Sequence, residues 1–95
     1  MFQCIAVANI KGGYLDMVLE AAEKLAIATR GEIGNIDYNV LRSINRDNTL
    51  VFFEKWESAS FFETHVKSKA CTEFGELMSV AENGPAQIYQ CAEII

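Results

Sequence analysis

The chain has 95 residues, eight basic and thirteen acidic side chains, a single histidine and a net charge of −5. That balance excludes a nucleic-acid binder, which needs clustered Lys and Arg to neutralise phosphates, and no apolar run approaches the roughly 20 residues that cross a bilayer. The length predicts one domain over residues 1–95. At 51% hydrophobic, so small a domain carries apolar surface that a second copy of the chain is expected to cover.

Phe2 to Ile10 is almost continuously apolar and is bounded by Lys11-Gly12-Gly13. Such a run predicts a central strand covered on both faces rather than a signal peptide, since no basic segment precedes it. Leu15, Val18, Leu19, Ala22, Leu25, Ala26 and Thr29 then step by three and four, with Asp16, Glu20, Glu23 and Lys24 on the other side. This is an amphipathic helix that stops near Arg30-Gly31. Asn35 to Ile44 alternates, placing Ile36, Tyr38, Val40 and Arg42 on one face, and predicts a half-exposed edge strand. Asn45-Arg46-Asp47-Asn48 supplies a turn, and Thr49 to Trp56 returns as the second arm of a hairpin.

A second helix is expected from Ser58 or Ser60, with Ser60 and Glu63 spaced as a capping box. Phe61, Phe62, His65 and Val66 trace its first turns, Phe74, Leu77 and Met78 continue the apolar face, and a kink is expected around Ala70 to Thr72. Asn83-Gly84-Pro85 ends it before a last strand over Ala86 to Ile94. The order β-α-β-β-α-β specifies an α+β ferredoxin-like fold: a four-stranded antiparallel sheet with two helices on one face. The bare face of the sheet then predicts a dimer in which two sheets pack against each other as an α/β barrel.

His65 is the first candidate for chemistry, because imidazole titrates nearest neutrality and is the commonest general base. Its plainer reading is a buried ring hydrogen-bonded to a backbone carbonyl or to Glu54. Tyr38 reads as a phenolic donor or as an ordinary strand aromatic, and Trp56 as packing or as a wall that stacks on a flat ligand. Asn9 either binds a ligand oxygen or caps the loop after it. Asp37 and Glu54 share no motif that would pair them. Gly12-Gly13 lacks the spacing of a phosphate loop, and no serine sits in a nucleophile elbow. Cys4, Cys71 and Cys91 are odd in number and widely spaced, and one histidine cannot complete a zinc site with them. No metal is expected, and three free thiols fit a reducing cytoplasm.

The combination Gly34-Asn35-x-x-Tyr38, Leu41-Arg42-Ser43, Phe53-Glu54-x-Trp56-Glu57-Ser58 and Thr64-His65-Val66 resembles the antibiotic biosynthesis monooxygenase family of small dimeric α/β-barrel proteins. The resemblance implies a cofactor-free oxygenase of electron-rich phenols or quinols, a homodimer whose partners are a small aromatic substrate and O2. In that account His65 is the base, Tyr38 and Asn9 are donors, and Phe53, Trp56, Phe62 and Phe74 are walls. Two departures narrow the choice within the family. Ser68-Lys69-Ala70 replaces the Ser-Pro-His that often follows the helix histidine. The haem-degrading branch carries tryptophan where His65 stands and a ligating histidine further along, near Gly75, so no haem is expected. Nothing resembles a dinucleotide cradle, so no flavin is implied. The competing readings are a non-catalytic dimeric module that binds a small aromatic or aldehyde, and an enzyme that processes a phosphorylated signalling sugar. The latter would need basic residues converging on the pocket, for which Arg42 alone is thin support.

Overall fold

The N-terminal apolar run forms β1 (Phe2–Asn9), which sits inside the sheet between two antiparallel neighbours. In this computed structural model, which describes residues 1–95, the elements follow as α1 (Leu15–Arg30), β2 (Asn35–Arg42), β3 (Thr49–Trp56), α2 (Ala59–Val66), α3 (Lys69–Ala81) and β4 (Gln87–Ala92). The sheet order is β2-β3-β1-β4 and every pairing is antiparallel. This is the ferredoxin-like arrangement, with the helices packed on one face.

Helix α1 buries the stripe its periodicity marks: Val18, Ala22, Leu25, Ala26 and Thr29. Its basic last residue does not cap the helix. Arg30 instead reaches across to β2, where Nε and Nη2 donate to the Tyr38 carbonyl at 3.1 and 2.9 Å. The turn that follows needs Gly34, whose φ is +86°. A Cβ there would meet Phe61 Cγ at 2.2 Å, so both the backbone and the space require glycine.

The second helical region departs from expectation. It is two helices, broken at Lys67-Ser68 rather than kinked at Ala70 to Thr72. Ser68 starts the second one by accepting a hydrogen bond from the Cys71 N–H at 3.2 Å, which satisfies an end donor the first helix could not. The Ser60–Glu63 capping box does not form, because Ser58 holds the N-cap position and the two serine hydroxyls bond each other at 2.8 Å.

Strand parity decides which residues can meet. On β3, Leu50, Phe52, Glu54 and Trp56 are buried beneath the helices, while Val51, Phe53 and Lys55 lie on the other face. The burial of β1 is likewise one-sided in this chain: Cys4 and Ala8 are buried, and Ile5 and Val7 are only half-buried. Residues opposite one another in register share a face. Ile5 therefore stands beside Phe53 and Tyr89, and Val7 beside Val51, itself opposite Leu41. The helix-free face is an apolar patch.

Candidate active site

A cavity of about 240 Å³ lies between the sheet and the helices, and most of its lining is apolar. Cys4, Ala6 and Ala8 of β1 and Phe52 of β3 form its floor, with Phe62, Phe74 and Met78 from the helices above it. Small side chains on β1 are what leave the space open. Ile88 of β4, itself 61% exposed, stands at the rim.

Polar groups are few and converge. His65, 3% exposed, has Nδ1 2.6 Å from Glu32 Oε1 and Nε2 3.5 Å from Glu54 Oε1. A carboxylate can only accept, so Nδ1 carries the proton and the ring is held in that tautomer. The same Glu54 oxygen accepts the Trp56 indole N–H at 3.1 Å, and the Trp56 and His65 ring centroids are 4.9 Å apart. Burial pushes the Glu54 carboxyl above its ordinary range, partly opposed by His65 and by the indole hydrogen bond. Tyr38, 3% exposed and 6.0 Å from the His65 ring centre, lines the cavity with a hydroxyl that has no partner in the chain. Burial first, and the nearby Glu54 carboxylate second, push that phenol strongly upward, so it stays a donor at neutral pH. Burial likewise raises the Cys4 thiol to about 11 and raises Cys71. Neither is a nucleophile at neutral pH.

His65, Tyr38, Phe62 and Phe74 are thus brought together at one cavity. Three other expected contacts are elsewhere. Phe53 points to the helix-free face, as strand alternation demands. Asn9 lies exposed at the end of β1, where its side chain accepts from the Thr49 hydroxyl at 2.9 Å and its carbonyl from the Asn83 N–H at 2.7 Å. Trp56 is fully buried behind Glu54 and does not line the cavity, so it orients a carboxylate rather than stacking on a guest. Phe61 packs away from the space, against Gly34. Arg42 is exposed and also outside it.

The sequence profile of the antibiotic biosynthesis monooxygenase family matches residues 1–77. The chain belongs to that family. Solved structures agree in fold across essentially the whole chain. One antibiotic biosynthesis monooxygenase superposes with a TM-score of 0.93 at 21% identity, covering 100% of both chains. A Nitrosomonas europaea protein assigned to the same family gives 0.95 at 16% identity, again over 100% of both. A Bacteroides thetaiotaomicron protein described as a possible oxidoreductase gives 0.84 at 17% identity over 95% of this chain and 96% of its own. No curated protein sequence matches the chain.

Within this family fold, the residue that sequence reasoning missed is Glu32. It lies in the short connection from α1 to β2, 33 positions before His65. No periodicity marks it there. The only local signal is an acid set between Gly31 and Gly34 in a turn tight enough to fix its direction.

Proposed function

We propose that this protein is a cofactor-independent monooxygenase of a small, uncharged, electron-rich aromatic, with O2 as co-substrate and the His65–Glu54 pair as the base of the site. The observation that carries this reading is an unfilled, mostly apolar cavity lined by the His65–Glu54 pair and the unpartnered Tyr38 hydroxyl. Its volume lies below the roughly 300–1,000 Å³ of drug-sized sites, which suits a guest of one or two rings.

The chemistry needs little beyond these groups. A bound phenol loses its proton and becomes electron-rich enough to pass one electron to O2. The resulting radical and superoxide combine on the ring as a peroxide. Cleavage of its O–O bond, with loss of the proton from the same ring carbon, leaves one oxygen as a quinone carbonyl and releases the other with that proton as water, so the phenol and O2 become a quinone and H2O. Tyr38 donates to the substrate oxygen, and the dry walls formed by Phe62, Phe74 and Met78 shield the radical pair from side reactions.

Charge weighs against a phosphorylated sugar. No Lys or Arg lines the cavity, whereas Glu54 and Glu82 do. Two copies of the chain pack through the helix-free sheet faces, covering Ile5, Val7, Val51 and Phe53; this accounts for a β1 that is apolar on both sides. The three thiols, all free, suit a reducing cytoplasm.

Oxygen uptake with a panel of quinols, anthrones and 1-naphthol tests the reading. His65→Ala is expected to lose about 10²–10⁴-fold in rate, the usual worth of a positioned base. Equal rates would remove His65 from the mechanism. Binding without any uptake by the wild type would leave a ligand-binding module.

A further inference from the structure

Both ring nitrogens of His65 face carboxylates: Nδ1 faces Glu32 at 2.6 Å and Nε2 faces Glu54 at 3.5 Å. Neither nitrogen is left to meet a substrate hydroxyl. Glu54 is differently placed. Its Oε1 receives the Trp56 indole and faces the imidazole, its Oε2 has no partner in the chain, and the residue lines the cavity with its side chain 10% exposed. Glu32 is on the other side of the ring. Its side chain is 28% exposed and borders a surface depression together with Thr64, Phe61 and His65 itself. His65 is therefore a partition, with the cavity on one side and the outer surface on the other.

We propose that Glu54 accepts the substrate proton at the cavity wall and that His65 and Glu32 form a relay carrying it to the outer surface. This rests on the oxygenase reading above and assigns the parts within it. The substrate O–H bond breaks and its proton moves to Glu54. The carboxyl turns over to bring its protonated oxygen to Nε2 and the other oxygen to the indole. Nε2 takes the proton as the Nδ1 proton passes to Glu32, and Glu32 exchanges with water. The path then runs in reverse and protonates the peroxide, which restores the Nδ1–H tautomer, and when the O–O bond breaks the proton from the ring C–H joins the departing hydroxide as water. No proton is gained or lost over the cycle.

The arrangement has a physical reason. A carboxylate buried beside an apolar guest holds a proton more readily than one in water, and a guest seated in the cavity keeps water from taking that proton onward on its own side. Imidazole accepts on one nitrogen while donating from the other, so it passes charge through a wall that excludes solvent. Trp56 fixes Glu54 Oε1 toward the ring and leaves Oε2 for the substrate; Trp56 is a positioning residue.

Stopped-flow oxygen uptake with 1-naphthol, whose product under this chemistry is 1,4-naphthoquinone, separates the possibilities. Glu54→Gln keeps the shape and the indole acceptor but cannot take the proton; it is expected to lose about 10²-fold or more in kcat with little change in KM. Glu32→Gln is expected to lose about tenfold in kcat, because a relay without its outlet is slow but not blocked. That loss should be recovered as the concentration of acetate or imidazole buffer rises, since a diffusing base replaces a group at the surface. Glu54→Gln should show no such recovery. A structural role for Glu32 would leave the deficit independent of buffer, and either that result or a wild-type rate for Glu32→Gln overturns the relay while the oxygenase reading stands. No uptake by the wild type with any compound of the panel overturns both. Glu32→Gln changes a half-exposed side chain and decides the matter if Glu54→Gln does not fold.

Discussion

The two ends of the layer between sheet and helices are built differently. Under α1 and α3, Ala8, Val18, Ala22, Leu25, Leu50 and Ala81 form a continuous apolar core with no buried charge. Under α2 the buried residues are Cys4, Trp56 and Phe62, with Glu54 and His65 buried beside them. The first end is what burial of an amphipathic stripe gives, with Val18, Leu25 and Leu50 each contributing about 1.5–3 kcal/mol on leaving water. The second end holds a buried, hydrogen-bonded pair of ionisable groups at a cost in desolvation that packing alone would not select. The cavity lies where the two meet. One end holds the fold and the other spends some of that stability on a titratable group next to a hole.

That division can be broken from either side. Leu50, fully buried in the apolar end, should show the largest effect on stability. Leu50→Ala is expected to cost about 2–5 kcal/mol in urea unfolding, with the rate per folded molecule nearly unchanged. Comparable losses of rate and stability would mean that the two ends are one unit. Gly34→Ala acts at the joint, because it forces a positive φ on alanine and drives a Cβ into Phe61. The expected cost is about 1–3 kcal/mol, and the turn carrying Glu32 should shift, so the rate falls with the stability. An unperturbed His65 resonance in that variant would argue against the joint. Ser68→Ala removes the cap that separates α2 from α3 and should cost about 0.5–2 kcal/mol by thermal unfolding. It leaves the site intact, and a large loss of activity would show that the break between the helices matters to catalysis.

Much of the architecture was legible because it is written in periods. The three- and four-residue steps of α1 and the alternation of β3 name their own buried faces, whereas β2 buries only Tyr38 and leaves Ile36 exposed at a register shift between Asn35 and Asp37. The site was legible only in part. His65, Tyr38, Phe62 and Phe74 sit on regular elements, and their directions follow from position. Alternation alone places Phe53 and Trp56 on opposite faces, so both could never have walled one cavity. Asn9 is spent on the Thr49 hydroxyl of the neighbouring strand, a partner that neither the ligand reading nor the loop-capping reading named. Glu32 was invisible because its role depends on a turn, and the distance from that turn to α2 is a property of the folded chain. The break at Ser68 was misplaced for a related reason: a single side-chain hydrogen bond to the Cys71 N–H decides it, and the apolar period runs straight through.

The central claim is that a bound phenol gives up its proton inside this cavity. Absorbance of 1-naphthol titrated with the protein at neutral pH under nitrogen tests it most directly, with oxygen absent so that no turnover intervenes. A naphtholate band that grows in with the wild type and is missing for Glu54→Gln is the result expected. A bound but neutral naphthol, or the same band in both proteins, would contradict it.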